Sequence, residues 1–120
     1  MFRLTRPLFN QLRKSTTSIT GLNVHPNPLP ELKQTYEATL SALAAIPATS
    51  VYRQGVEALT QRKLSIIEKA EGDIAAAEKE LDEGQIEESL DIAQDELGLV
   101  SKMIEWKACV CFLISFTVIC

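Results

Sequence analysis

From residue 31 to residue 107, apolar residues recur at intervals of three and four, with polar residues between them. This is the period of helices that each bury one stripe. The first predicted helix runs from about Glu31 to Ile46, with Leu32, Tyr36, Leu40 and Leu43 on its buried face. Pro30 suits a helix start, Glu31 favours the positive end of the dipole, and Pro47 ends the element. A second helix is expected from about Ser50 to Ala70. Thr49 or Ser50 would cap it, Tyr52, Val56, Leu59, Leu64 and Ile67 would form its stripe, and Gly72 would stop it. A shorter third helix spans Asp73 to Glu83, capped by Asp73, with Ile74, Ala77 and Leu81 inside. Gly84 separates it from the fourth, about Gln85 to Lys107. There Ile86, Leu90, Ala93, Leu97, Val100 and Ile104 follow an unbroken 4-3-4-3-4 spacing, the seam of a bundle helix. Glu87, Asp91 and Asp95 lie together on a different face and read as a solvated acidic surface. Lys102 and Lys107 stand near the negative end of the dipole.

Three prolines and two asparagines make residues 21–30 a loop. No segment before residue 109 alternates with period two. Short connections between amphipathic helices favour antiparallel neighbours. The expected fold is therefore all-α, a small antiparallel three- to four-helix bundle, with the last two long helices supplying most of the core. At 120 residues the chain holds one domain, and its seven aromatics leave the core to Leu, Ile, Val and Ala.

Charge divides the chain further. Arg3, Arg6, Arg13 and Lys14 precede the first acidic residue, Glu31, so the first thirty residues sum to +4 and the rest to −8. An acidic body repels phosphate backbones, and no nucleic-acid partner is expected. Residues 1–20 alternate basic residues with Phe2, Leu4, Leu8, Phe9 and Leu12, then turn to Ser and Thr. This flexible, basic, acid-free stretch has the composition of a mitochondrial targeting leader. A disordered basic tail, favoured by Pro7, is the plainer alternative. The expected organisation is a leader over 1–20, a helical domain over 21–108 and an atypical apolar tail over 109–120.

No residues assemble into a reaction centre. The five glycines form no phosphate loop, and G-x-S-x-G is absent. His25, the single histidine, sits beside Pro26 and reads as a loop residue. Cys109, Cys111 and Cys120 fall within the last twelve residues without a second ligand pair, a poor metal site. The carboxylates of 78–96 lack the E-x-x-H pattern of carboxylate-bridged bundles. No catalytic residue, cofactor, metal or small-molecule substrate is expected. Arg53, Arg62 and Lys63 read either as partner contacts or as balance for the acidic neighbouring helix.

Five stretches in order carry a resemblance: T-G-L at 20–22, I-P-A-T-S-V-Y-R at 46–53, L-T-Q-R-K-L at 59–64, L-D-E-G-Q-I-E-E at 81–88 and D-E-L-G-L-V-S-K-M-I-E-W-K at 95–107. Together they resemble a mitochondrial respiratory complex I accessory subunit, the thirteen-kilodalton B or alpha subcomplex subunit five family. The likeness covers about residues 16–108 and is nearest to the fungal forms labelled the 29.9-kilodalton subunit. It implies a helical, non-catalytic, supernumerary subunit on the matrix-facing arm of NADH:ubiquinone oxidoreductase, peripheral to the inner membrane, with other complex I subunits as partners. It also singles out Tyr52, Arg53, Glu105, Trp106 and Lys107 as structural or partner-contact residues. Trp106 is the only tryptophan and suits a partner pocket or the end of the core.

The end of the chain departs from the family. Relatives follow E-W-K with W-E-P and a polar tail, whereas here CVCFLISFTVIC follows Ala108. Twelve apolar residues are too few to span a bilayer, which needs roughly twenty. An altered gene model, from a retained intron or a frameshift, is the leading explanation, and a hydrophobic anchor is the other. The rival functions are accordingly a membrane-peripheral helical adaptor held by 109–120 and an enzyme built on Glu87, Asp91 and Asp95.

Overall fold

Residues 14–107 are described by a computed structural model, and four α-helices carry most of them: α1 Pro28–Leu43, α2 Val51–Ala70, α3 Ile74–Leu81 and α4 Ile86–Glu105. No strand occurs among the described residues. The expected all-α helical bundle is what forms.

The boundaries follow from local chemistry. α1 starts three residues before the expected Glu31, with Pro28 and Pro30 both inside its first turn. The first N–H groups of a helix have no acceptor within it, so two prolines there break no hydrogen bond. The helix also ends at Leu43 rather than Ile46. Tighter turns replace its last round: Ala44, Ala45 and Ile46 N–H groups donate to Ser41, Ala42 and Leu43 carbonyls at 3.3, 3.1 and 3.0 Å. Asp73 caps α3 as expected, accepting from the Ala75 N–H at 3.0 Å. Between α3 and α4, Asp82 and Gly84 take left-handed backbone, with φ of 54° and 89°. A side chain on Gly84 would run into the Glu88 carboxylate, which accepts from the Gln85 N–H at 2.7 Å and completes a capping box.

Two clusters make the core. At one end of the bundle, Leu32 and Tyr36 of α1 pack with Ile67 of α2, Ala77 of α3, and Ile86, Leu90 and Ala93 of α4. At the other end, Leu43, Ile46 and Val100 are buried, with Tyr52, Val56 and Met103 against them. The N-terminal halves of α1 and α4 thus share one end with the C-terminal half of α2. α2 runs antiparallel to both α1 and α4, while α1 and α4 run parallel, joined through α2 and α3. The α1–α4 pair is the most extensive, not the expected pair of α2 and α4.

The reason is the weak stripe of α2. Leu59, expected inside, is 51% exposed, and Thr60 is buried in its place at 4%. The seam steps 52–56–60–63–67 and passes through a threonine. Two more threonines, Thr35 and Thr39, are buried on α1, donating their hydroxyls to the Glu31 and Thr35 carbonyls at 2.8 Å each. Such back-bonding satisfies a buried hydroxyl without a partner helix. On α4 the expected seam is buried at Ile86, Leu90, Ala93 and Val100, half-buried at Leu97 and exposed at Ile104.

Candidate functional site

The five residues singled out by resemblance all lie at the Leu43–Ile46–Val100 end, and there they divide into two kinds. Tyr52 and Arg53 have intramolecular work. The Tyr52 hydroxyl donates to Glu96 Oε1 at 2.6 Å, tying α2 to α4. Partial burial, and then the hydrogen bond and charge of Glu96, push the Tyr52 phenol well above its ordinary range, so it keeps its proton. Arg53 Nη1 donates to the Ile46 carbonyl, and its Nε lies 3.6 Å from Glu57. Beside it, Gln54 donates to the Ala48 carbonyl at 2.8 Å. The start of α2 thus binds carbonyls of the connection between α1 and α2. Glu105, Trp106 and Lys107, in contrast, are exposed, Trp106 at 64%. Val51 and Ile104 are exposed at the same end.

A second assembly escaped the sequence reading. Lys14 Nζ reaches Glu87 Oε2 at 2.6 Å and Gln85 Oε1 at 2.7 Å, and lies 4.0 Å from Glu78. Gln85 Nε2 donates to the Thr17 carbonyl at 2.8 Å, and the buried Thr17 hydroxyl donates to the Leu22 carbonyl at 2.6 Å. Residues 14–22 therefore lie against the start of α4 and cover Glu87. Glu87 is buried rather than solvated, which corrects its expected place beside the exposed Asp91 and Asp95. Burial alone would raise its carboxyl pKa. The hydrogen bond from Lys14, backbone amides of Glu87 and His25, and the Lys14 charge outweigh burial and hold it below the ordinary range. The only sequence signal for this pair was a lone lysine followed by hydroxyl residues, seventy-three positions away from its partner.

Of the remaining charged candidates, Lys63 and His25 are also occupied. Lys63 pairs with Glu83 at 2.5 Å and stands 5.9 Å from the centre of the Tyr36 ring, the charge-balancing role rather than a partner contact. Arg62 is exposed. His25 Nε2 lies 2.6 Å from Glu31, and its Nδ1 accepts from the Asn27 N–H at 3.2 Å, so the imidazole braces the start of α1. A shallow depression beside His25, Gln34, Ala38 and Leu97 opens widely to solvent, unlike the enclosed sites that hold small molecules. Among the described residues, no three metal-ligating side chains converge and no helix is long and apolar enough to cross a membrane. The three cysteines, the tail over 109–120 and leader residues 1–13 lie outside the described residues.

Residues 21–88, spanning α1 to the first turn of α4, match the family model described as the ETC complex I subunit conserved region. The chain belongs to this complex I subunit family. It is 44% identical over 101 residues to an Arabidopsis thaliana protein named probable NADH dehydrogenase [ubiquinone] 1 alpha subcomplex subunit 5, mitochondrial, covering 84% of this chain and 59% of that one. It is 44% identical over 96 residues to alpha subcomplex subunit 5 of Bos taurus, covering 80% and 82%. It is also 44% identical over 88 residues to alpha subcomplex subunit MCI4 of Candida albicans, covering 72% and 63%. The chain thus spans about three-fifths of the plant and yeast proteins and four-fifths of the bovine one.

In this member of the complex I subunit family, two of the five motif stretches are corners of the fold. I-P-A-T-S-V-Y-R buries Ile46, turns at Pro47 with a 3.0 Å bond from the Ser50 N–H, and returns Arg53 to the Ile46 carbonyl. L-D-E-G-Q-I-E-E carries the left-handed turn, the Lys63 partner Glu83, the capping box and the Lys14 partner Glu87. Glu105, Trp106 and Lys107 lie beyond the residues matched by the family model.

Proposed function

We propose that this chain is a non-catalytic accessory subunit of mitochondrial NADH dehydrogenase, complex I. It sits on the matrix-facing arm, peripheral to the inner membrane, and stabilises or helps assemble that arm for electron transfer from NADH to ubiquinone. The observation that carries this reading is the family match over residues 21–88, together with relatives named as alpha subcomplex subunits of NADH dehydrogenase. The chemistry agrees with it. Tyr52, Arg53, Lys63, Asp73 and Glu87 are engaged in holding a corner or a helix end, while Val51, Ile104 and Trp106 face solvent.

In this reading residues 1–20 direct the chain to the mitochondrion, and Tyr52 and Arg53 act as structural residues. Glu105, Trp106 and Lys107 face a neighbouring subunit. The partners are other subunits of the peripheral arm. The membrane-adaptor alternative rests on residues 109–120 alone.

Native gel electrophoresis of detergent-solubilised mitochondria carrying a tagged full chain tests the proposal. The tag is expected in the band that stains for NADH dehydrogenase activity. A tag found only as a small free species, or left in membranes depleted of complex I, overturns it.

A further inference from the structure

By composition residues 1–20 form one stretch, basic and free of acid. The fold nevertheless takes residues 14–20 into the helical domain. Lys14 Nζ donates to Glu87 at 2.6 Å and to Gln85 at 2.7 Å, both at the start of α4. Gln85 in turn donates to the Thr17 carbonyl at 2.8 Å, so one side chain holds the segment at two places. Thr17 is 3% exposed, as deep as Tyr36 in the main core, and its hydroxyl closes a turn on the Leu22 carbonyl. Ser18 and Gly21 take left-handed backbone, with φ of 60° and 87°, which bends the chain where a tail would run extended.

Charge gives a reason to keep this segment. The Glu87 side chain is 4% exposed, and Lys14 is the cation paired with it. No other Lys or Arg lies between residues 15 and 32, so a chain beginning after Lys14 has no neighbouring cation to replace it. A covered carboxylate without its partner is the costly arrangement. Loss of the whole segment would instead return the start of α4 to water and forfeit the packing of Thr17.

We infer that residues 14–22 are a clamp retained in the mature subunit, and that any proteolytic removal of the targeting leader stops at or before the Arg13–Lys14 bond. The step is hydrolysis by a mitochondrial endopeptidase. Water splits one peptide bond, leaving a carboxylate on the released peptide and an amine on the retained chain. The inference rests on the leader in the reading above and adds to it a limit on where that leader ends. Composition alone sets the end at residue 20, and the family model begins only at residue 21.

The test recovers the full chain, tagged at its C-terminus, from mitochondria and reads its N-terminus by mass spectrometry. An N-terminus at Lys14 or earlier is the expected result. One at Ser15 or later overturns the inference. A chain that never enters mitochondria overturns both the inference and the leader it rests on. A chain that enters but stays out of the active complex overturns the subunit reading, while its N-terminus still decides the inference. Trypsin then reads the clamp in the purified full chain, because the protease must take the Lys14 side chain from Glu87. Cleavage after Lys33, inside α1, reports opening of the whole domain. The ratio of cleavage after Lys14 to cleavage after Lys33 should rise about fivefold or more in Glu87→Gln. An unchanged ratio overturns the clamp.

Discussion

The two ends of the bundle satisfy themselves to different degrees. At the Ile86 end, four helices contribute to one cluster, Lys14 neutralises the buried Glu87, Lys63 pairs with Glu83, and the turn before α4 is closed by a capping box. At the Val100 end the cluster holds only three buried apolar residues, and Val51, Ile104 and Trp106 are left in solvent. The first end holds the chain together. The second is a corner built well enough to fix its geometry and left incomplete on its outer surface. On the accessory-subunit reading proposed above, that inequality separates the part that folds from the part that would meet other subunits.

The sharpest way to break this comparison is to remove the same side chain from both ends. Leu32 and Leu43 are equally buried, at 0% and 1%. Leu32→Ala opens a cavity among residues from four helices and should cost about 3–5 kcal/mol. Leu43→Ala lies in the thinner cluster, which collapses more readily, and should cost about 2–3 kcal/mol. Urea unfolding of the purified variants measures both. Equal losses would mean the two clusters form one continuous core.

A smaller effect is expected at Lys14. Lys14→Met leaves Glu87 covered and unpaired and should cost about 1–2 kcal/mol at neutral pH, between the values for exposed and buried pairs because Lys14 is partly exposed. The folded Glu87 carboxyl titrates below its ordinary value of 4.5. Its contribution is therefore present above that value and lost as pH falls through the lower folded value. Wild type and Lys14→Met should converge in melting temperature as the pH falls through that lowered folded value. A gap that persists in acid would show that the lysine acts by packing alone. The smallest loss belongs to the other end. Tyr52→Phe removes one hydrogen bond to Glu96 and should cost about 0.5–1.5 kcal/mol, read from the same unfolding curves.

Much of this was legible in the chain itself, for definite reasons. The α4 seam was readable because its partner, α1, covers it almost to the end, so periodicity and burial coincide. Asp73 and Gly84 were readable because caps and left-handed turns are set by one or two residues. Leu59 was misread because hydrophobicity states a preference for burial and does not say whether a neighbouring helix arrives. Thr60 is buried in its place, one step around the helix, because that is the position the neighbouring helices cover. Glu87 was misread because its partner belongs to a segment that looks like a separate leader. The parallel run of α1 and α4 follows from the path through α2 and α3, which no helix encodes alone. At the candidate site, the residues singled out by the motifs all fall at one end of the molecule. They did not separate Tyr52 and Arg53, which brace a corner, from Trp106, which faces outward.

The contact between Lys14 and Glu87 also bears on the order of events during folding. It closes a loop of seventy-three residues, and closure of so long a loop is entropically favourable only after the intervening helices have packed. It belongs to the late side of the folding barrier. Losing it should leave the folding rate nearly unchanged and speed unfolding, as expected for interactions that form after the transition state. The short segment 14–22 thus contributes to how long the folded chain persists more than to how fast it forms. A chain awaiting incorporation into a large assembly depends on that lifetime.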